Sequence, residues 1–408
     1  MEFQNFDLEY FQSQFERSVE INLADSSVKC ANASDLLAGE DPRPLLELPL
    51  YYPEVNGTGV LRERVAALYP NASAANVLVT VGAAQANWMV CSTLLEAGDE
   101  VIVVSPGYRQ VWGLAKNAGC RVKEAQLHPD NNWRLDVDEL ESLAGPKTKL
   151  ISIVNPNNPT GSILSQEEMR RIVNICRKTG AWLHADEVYG GTELAAGETP
   201  SFWGMYERAI CVNSMSKAYG LAGLRIGWAV AAPEMVEELW RRHEYAVIAA
   251  AGPSMKLAEI ALLPAKRKML LDRQKKLSRE GHAVLESWVR AQEGRFSVSK
   301  AVATSIAFVG YNFDMPSAEL VDHIRSKASV LVAPGSYLGT ENYLRITVGY
   351  EPEKVRTALE RIGAVAAELA QIAHIHKNLF ETQRNGGSGG WERFDFIHSQ
   401  SLHKDVEH

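Results

Sequence analysis

A lysine flanked by hydroxyl side chains is the most specific candidate for chemistry in this sequence. Lys217 ends the string Ser214-Met215-Ser216-Lys217, and Arg225 follows eight residues later. A lysine amine forms a Schiff base with an aldehyde when the amine is accessible and partly neutral. Ser214 and Arg225 could bind a phosphate group, because a guanidinium binds phosphate through paired charged hydrogen bonds. The alternative is a surface Ser-Lys turn followed by a structural arginine.

The string DEVY, which begins at Asp186 after the largely apolar residues 181–185, is the second candidate. A carboxylate at the carboxyl end of a parallel strand lies where open α/β sheets bind ligands. Such a carboxylate could keep the ring nitrogen of a cofactor protonated. Tyr189, three residues later, could donate a hydrogen bond to the same ligand. The alternative is an N-cap aspartate followed by a packing tyrosine.

Two turns after predicted strands could also present polar groups to a ligand. The string NPNNPTG at 155–161 contains prolines that fix the turn and asparagine amides that supply donors and acceptors. Gly82, Ala83 and Ala84 join a strand to a helix, and small residues there let backbone N–H groups approach a phosphate. Taken singly, either turn could equally serve packing.

The elements that would position these groups alternate between strands and helices from about residue 60 to residue 230. Short apolar runs predict strands at 77–81, 101–105, 150–155, 182–185, 209–213 and 226–231. Helical spacing predicts helices at 61–69, 84–95, 111–118 and 166–178. This alternation predicts an α/β fold with a mostly parallel sheet between helices.

A change of pattern after Pro233 predicts a second, smaller α+β domain. It would contain strand-like segments at 296–309 and 330–348 and helices at 234–245, 267–292, 317–326 and 352–370. We predict a large domain over residues 46–265 and a small domain made of residues 21–45 and 266–373. Residues 1–20 are predicted to form an N-terminal arm. Residues 374–408, with the glycine- and serine-rich stretch 385–390, are predicted to form a flexible tail.

The composition argues against several classes of protein. The 408 residues carry a formal net charge of −8 without the basic block that is typical of nucleic-acid binding. The N-terminus lacks the pattern of a signal peptide, and no window approaches the apolar length of a membrane span. We therefore expect a cytoplasmic protein. The five cysteines are scattered, so neither a disulfide framework nor a metal site is predicted.

Taken together, these segments resemble the class I/II aminotransferases, which are fold-type I enzymes that depend on pyridoxal 5'-phosphate (PLP). The resemblance covers roughly residues 20–370 and rests on residues 155–161, on residues 186–189, and on residues 214–217 with Arg225, in the order of the family. It implies an α/β large domain that binds PLP and a smaller α+β domain.

The resemblance also implies roles for individual residues. Lys217 would form the aldimine with PLP, and Asp186 would bind the pyridine nitrogen. Asn158 and Tyr189 would hydrogen-bond the phenolic oxygen of the ring, and Tyr108 would stack on the ring. The residues that take part in catalysis would be Lys217, Asp186 and Tyr189.

The phosphate of PLP would be bound by Ser214, by Arg225 and by the amides of Gly82, Ala83 and Ala84. The family often has a hydroxyl residue in this turn, whereas the two alanines offer only backbone donors. Ser214 and a tyrosine from a neighbouring subunit would then supply more of the side-chain contact.

The same resemblance implies a homodimer and a site for the substrate carboxylate. Tyr52 would reach the phosphate in the neighbouring subunit, so the two active sites would be shared. Arg345 would bind the α-carboxylate of the substrate, with Asn158 beside it. The segment 22–28, expected over the substrate, is closer to enzymes of specialised amino acids such as capreomycidine synthase and canavanine γ-lyase.

The implied reaction moves an amino group from an amino acid to a 2-oxo acid. A β/γ-lyase or a cyclase that acts on a specialised amino acid is the alternative, because the family's motifs are common to these reactions. A non-catalytic sensing domain is a further alternative. Such domains follow a DNA-binding helix-turn-helix domain, and no basic helix precedes the fold here. Neither a nucleic acid nor a membrane is expected as a partner.

Overall fold

A computed structural model describes residues 3–195 and 197–385 of the chain. The contacts between residues divide the chain into two units, Met1–Val365 and Ala366–His408. Within the second unit, the described residues are the C-terminal part of one long helix. No helix in the described ranges is long and apolar enough to cross a membrane.

The described strands and helices alternate through the first half of the chain, as the sequence predicts. The strands are β1 (Ile21–Asn22), β2 (Val77–Thr80), β3 (Glu100–Ser105), β4 (Arg121–Gln126), β5 (Thr148–Val154), β6 (Trp182–Asp186), β7 (Ala209–Ser214), β8 (Gly227–Val230), β9 (Phe296–Val298), β10 (Ile306–Tyr311), β11 (Val330–Leu331), β12 (Ala333–Pro334) and β13 (Tyr343–Thr347). The helices are α1 (Asp7–Phe15), α2 (Ala33–Leu37), α3 (Arg43–Leu46), α4 (Gly59–Ala66), α5 (Gly82–Leu94), α6 (Gln110–Asn117), α7 (Val137–Leu143), α8 (Gln166–Thr179), α9 (Pro233–Ala246), α10 (Gly252–Ala261), α11 (Pro264–Arg290), α12 (Ser317–Ala328) and α13 (Pro352–Asn385).

The main sheet has the strand order β2-β8-β7-β6-β5-β3-β4. Strand β8 is antiparallel to both of its neighbours, and the other neighbouring pairs are parallel. Strands β2 to β7 therefore all run in the same direction. Side chains of β5 alternate between two apolar clusters, with Ile151 and Ile153 in one and Leu150 in the other. Because both faces of the sheet are covered, its strands are apolar on both sides.

A smaller sheet is formed later in the chain with the order β12-β13-β10-β9, and its pairs are antiparallel. Strand β1 pairs in parallel with β11. In the smaller sheet Arg345 on β13 lies opposite Phe308 on β10 and Ala333 on β12. The large and small domains that we assign to residues 46–265 and to residues 21–45 with 266–373 stay predictions.

Capping residues in the sequence define both ends of helix α8. At the start of α8, Ser165 Oγ accepts a hydrogen bond from Glu168 N at 3.2 Å, and Ser165 N donates to Glu168 Oε2 at 2.6 Å. At its end, Gly180 adopts a φ of 75°, a conformation that costs glycine little. The capping box and the glycine explain why the sequence placed this helix to within one residue.

The predicted C-terminal helix ends too early, and the flexible tail assigned to residues 374–408 stays a prediction. Helix α13 continues to Asn385 instead of ending at residue 370. Residues 371–385 contain neither glycine nor proline, so no residue type in this stretch stops the helix. Residues 386–408, which hold nearly all of the predicted glycine- and serine-rich stretch, lie outside the described residues.

Candidate active site

The predicted site residues follow the carboxyl ends of strands in the main sheet. Since β2, β3, β5, β6 and β7 run in one direction, the segments after them meet at one edge. The polar groups that this edge brings together are the turn at Gly82, Tyr108, Asn158, Asp186, and the string from Ser214 to Lys217.

A cavity of about 650 Å³ opens at this edge. This volume lies within the range that small-molecule sites commonly show. Most of the predicted site residues line it, namely Ala83, Ala84, Tyr108, Asn158, Asp186, Tyr189, Ser214, Lys217 and Arg225. Gly82 and Arg345 lie directly behind lining residues. Tyr52 does not line this cavity, and it is 69% exposed.

The amine of Lys217 lies in the middle of the site. Lys217 Nζ donates to Ser26 Oγ at 2.8 Å and is 3.4 Å from Ser27 Oγ. Burial lowers the pKa of the Lys217 ammonium, while the negative charges of Asp25 and Glu9 oppose this shift. The neutral form, which can act as a nucleophile or a base, is therefore easier to reach than in an exposed lysine.

Asp186 ends β6 and is almost fully buried. Its Oδ2 accepts a hydrogen bond from Asn87 Nδ2 at 3.1 Å, and its Oδ1 accepts one from Val188 N at 3.2 Å. Burial raises the pKa of this carboxyl, and the Asn87 and Val188 donors and the positive charge of Lys217 oppose the rise. A cationic group in the cavity would favour the ionised form further.

A series of buried hydrogen bonds connects Asp186 to Asn87, His184 and Ser152. Ser152 Oγ is 2.9 Å from His184 Nδ1, and His184 Nε2 is 2.9 Å from Asn87 Oδ1. Burial lowers the pKa of His184 to about 4, so the ring is neutral near pH 7. With the Asn87 amide donating to Asp186, Nε2–H must donate to Asn87 and Nδ1 must accept from Ser152. His184 thus orients the carboxylate through Asn87.

The turn at Gly82 packs directly against Arg225. A Cβ atom at Gly82, whose φ is 73°, would lie 2.3 Å from Arg225 Nη2. The N-cap residue of α5, Val81, makes no side-chain cap bond, and the next residues Ala83 and Ala84 line the cavity. Arg225 Nη1 donates to Ser216 Oγ at 3.3 Å. Together, these groups form a cradle of donors suited to an anion.

Arg345 reaches the same region from the smaller sheet. It is 1% exposed. Its Nη1 donates to Asn158 Oδ1 at 3.2 Å and its Nη2 to the carbonyl oxygen of Ala24 at 2.6 Å. Its Nε is buried without a hydrogen-bond partner among the described residues. A buried donor without an acceptor is costly, so this guanidinium is suited to an anionic ligand.

Tyrosines complete the wall of the cavity. Tyr189 OH donates to the carbonyl oxygen of Ser26 at 3.3 Å, and Tyr108 OH donates to Glu9 Oε1 at 2.9 Å. Burial raises the pKa of both phenols, so both remain protonated donors at neutral pH. The ring of Tyr108 also packs edge-on against Phe6, with ring centroids 5.1 Å apart.

Sequence reasoning missed several residues of this site. It gave no role to Asn87, and it predicted no helix in the arm that carries Glu9, Gln12 and Glu16 along the cavity. The signal available in the sequence was an asparagine among the small and apolar residues of helix α5. The segment 22–28, expected over the substrate, supplies Asp25 and Ser26 to the cavity.

Solved structures share this architecture. A crystal structure of a PLP-dependent aminotransferase from Streptococcus suis superposes with a TM-score of 0.85 at 29% sequence identity, over 90% of this chain and 99% of that one. An aspartate aminotransferase of Pyrococcus horikoshii is 28% identical over 325 residues, which are 76% of this chain and 82% of its own length. Capreomycidine synthase of Streptomyces vinaceus is 28% identical over 316 residues, 77% and 79% of the two chains.

A sequence model of the family "Aminotransferase class I and II" matches residues 50–362. The chain belongs to this family, and its fold is fold type I. It is a PLP-dependent aminotransferase. The predicted fold class, family, cofactor and reaction type are thereby confirmed.

The chemistry of the cavity fits PLP. The donor cradle at Gly82 and Arg225 suits a phosphate, and the buried carboxylate of Asp186 suits a protonated ring nitrogen. The amine of Lys217 lies in the same cavity, where it could react with an aldehyde. The phosphate, the ring nitrogen and the aldehyde of the cofactor therefore each have a chemically matched partner.

Proposed function

We propose that amino transfer takes place in this cavity and that Lys217 is both the attachment point of PLP and the group that moves the substrate proton. The proposal is carried by one observation: the amine of Lys217 is buried in the cavity that Asp186 and the Gly82 turn also border. Bound PLP supplies an electron sink that makes the Cα–H bond of an amino acid acidic.

Asp186 would hold the positive ring nitrogen, oriented by Asn87 and the amide of Val188. A fixed negative charge at this position favours the protonated ring. Asn158 and Tyr189 face the cavity as neutral groups that can hydrogen-bond the phenolic oxygen, and the ring of Tyr108 can stack on the pyridine. The carboxylate, two hydrogen-bonding groups and one aromatic ring would thus fix the plane of the cofactor.

The phosphate would bind at the donor cradle. Ser214 and Arg225 line the cavity beside Ala83 and Ala84, the first residues of α5 after Gly82. Ser216, which the sequence analysis left without a role, hydrogen-bonds Arg225 and also lines the cavity. This hydroxyl replaces part of the contact that the two alanines cannot make.

Arg345 would bind the α-carboxylate of the substrate. Its guanidinium has a buried Nε without an acceptor, and Asn158 lies at its Nη1. A carboxylate bound there through paired hydrogen bonds would hold the Cα–H bond near Lys217. Because burial lowers the pKa of Lys217, its neutral amine could take the proton from Cα. It could then deliver that proton to the carbon of the cofactor that came from the aldehyde.

Chemical trapping tests the assignment of Lys217. Borohydride reduction of the PLP-loaded protein is expected to leave a phosphopyridoxyl group on the peptide that contains Lys217, read by mass spectrometry. The Lys217→Ala variant is the matched control and should give no label. A label on another lysine of the native protein would contradict the assignment.

We also propose that the protein is a homodimer whose sites are completed by Tyr52 from the partner. Large apolar side chains are exposed along one loop, with Leu46, Leu50, Tyr51 and Tyr52 between 69% and 91% exposed. The start of α10 lies against this loop, since a Cβ at Gly252 would be 3.5 Å from Leu48. Contiguous exposed apolar surface of this kind is typical of protein interfaces.

Removing the hydroxyl of Tyr52 tests the shared site. Tyr52→Phe is expected to raise the Kd for PLP about tenfold, because a hydrogen bond to a charged phosphate is lost. Tyr51→Phe removes the same atom from the neighbouring exposed ring and should leave the Kd unchanged. PLP titration of the apoprotein and sedimentation analysis provide the measurements. Equal Kd values for the two variants, or a monomer with full PLP affinity, would count against the proposal.

The relatives do not define the amino donor, because one of them is named for aspartate and another for capreomycidine. The donor has to be inferred from the side chains that line the rest of the cavity.

A further inference from the structure

Helix α1 turns a polar stripe towards the cavity. Glu9, Gln12 and Glu16 recur at spacings of three and four residues along α1 and its C-cap, and all three line the cavity. Other positions of the helix pack apolar rings, with Phe11 edge-on to Tyr337 at 5.7 Å. A polar stripe that lines a cavity is suited to a polar or charged ligand.

The charge left over in the cavity is negative. Asp186, Lys217 and Arg225 are matched by the functional groups of the cofactor. The remaining charged lining residues are Glu9, Glu16, Asp25 and Arg17. Arg17 is 3.9 Å from Glu16, and its side chain is 94% exposed, so it is largely in solvent.

Glu9 and Asp25 are held in place by neutral donors. Glu9 accepts from Tyr108 OH at 2.9 Å. Asp25 accepts from Ser27 N at 2.9 Å and from Tyr350 OH at 2.6 Å. No ion pair in the described part of the chain involves either carboxylate. Their charges act on the Lys217 ammonium without forming an ion pair with it, so both carboxylates are oriented and remain open to a cationic ligand.

The segment that carries Asp25 contacts both Arg345, which would bind the α-carboxylate of an amino acid, and Lys217, which would lie at its Cα. Ala24 O accepts from Arg345 Nη2 at 2.6 Å, and Ser26 Oγ accepts from Lys217 Nζ at 2.8 Å. Asp25 lies between these two residues in the chain. A substrate with its carboxylate at Arg345 and its Cα at Lys217 would therefore have its side chain beside Asp25 and the stripe of α1.

We propose that Glu9 and Asp25, with Glu16 at the mouth of the cavity, bind the positively charged side chain of the amino donor, which is an amino acid with a guanidinium or ammonium group. This inference rests on the proposed amino transfer at Lys217 and names its substrate class. A carboxylate side chain there would face like charges, and an apolar one would leave the three carboxylates without a partner of opposite charge.

A matched pair of amino acids tests the inference. L-Arginine and L-citrulline have the same length and nearly the same shape, but only arginine is charged. Absorbance follows the conversion of the cofactor to its amino form in the PLP-loaded enzyme. We expect kcat/KM for this conversion to be about a hundredfold higher with arginine than with citrulline. L-Lysine distinguishes an ammonium from a guanidinium. L-Glutamate and L-methionine represent acidic and apolar donors.

Variants link the preference to the two carboxylates. Glu9→Gln and Asp25→Asn should each lower the arginine-to-citrulline ratio about tenfold, mainly through KM for arginine. Asp7→Asn on the same helix is the matched control, since Asp7 does not line the cavity, and should leave the ratio unchanged. A ratio measured within one variant is independent of its folding yield and PLP content.

The outcomes separate the inference from the proposal on which it rests. Preference for arginine or lysine, reduced by Glu9→Gln and Asp25→Asn, supports it. Efficient transfer from glutamate, methionine or citrulline with poor transfer from both cationic amino acids overturns it while amino transfer at Lys217 stands. An unchanged ratio in both variants also overturns it. If no amino acid converts the bound cofactor, the proposed role of the cavity fails as well.

Discussion

Replacing Lys217 by alanine is expected to lower kcat for amino transfer about a thousandfold or more, because a positioned proton-transfer group alone contributes a factor of this order. The protein should still bind PLP, since the donor cradle and Asp186 do not depend on the amine. Single-turnover mixing with an amino acid and absorbance of the bound cofactor provide the two measurements.

A small primary amine provides the control for this variant. Methylamine is expected to restore part of the lost rate in Lys217→Ala, because it can enter the space of the side chain and move the proton. Glu9→Gln leaves the amine in place and should show no such rescue. Turnover of Lys217→Ala close to that of the native enzyme would end the assignment.

Arg345→Ala is expected to lower kcat/KM about a hundredfold to a thousandfold, because truncating one member of a buried charge pair costs about 2–5 kcal/mol. The loss should appear mainly in KM, since the carboxylate is bound before and during the reaction. PLP absorbance and PLP affinity should change little.

Arg345→Lys is the matched variant for charge. It keeps a positive group but lacks the fork that binds a carboxylate at two points, so kcat/KM should lie between those of the native enzyme and Arg345→Ala. An unchanged KM in Arg345→Ala would contradict the role. A loss of PLP affinity as large as the loss of substrate affinity would show instead that the arginine supports the cofactor site.

The residues after the main strands could be predicted because parallel strands fix where their carboxyl ends lie. Asp186 at the end of β6 and Lys217 after β7 are separated by 31 positions in the sequence, yet both line one cavity. The buried apolar strands and the turn residues are short-range signals, and the family resemblance supplied the roles. The local pattern alone left a structural interpretation of each motif open.

The parts that escaped prediction depend on long-range packing. Asn87 could be linked to Asp186 only once helix α5 was packed on the main sheet, because the hydrogen bond spans 99 positions in the sequence. Glu9 meets Tyr108 across the same separation. Helix α1 is different, because Leu8, Phe11 and Phe15 recur at helical spacing and pack into the core, so a short periodic signal for this helix was present in the sequence.

The residues proposed to carry out the reaction and those proposed to select the amino donor lie in different parts of the chain. The groups proposed to hold the cofactor and to move the proton are distributed over five strand ends of the main sheet, where substitutions are expected to harm the reaction. The acidic groups proposed to surround the substrate side chain belong to the N-terminal helix α1, its C-cap and the segment after β1. Donor preference can therefore diverge between homologous enzymes by substitutions in this terminal stretch while the reaction centre stays intact.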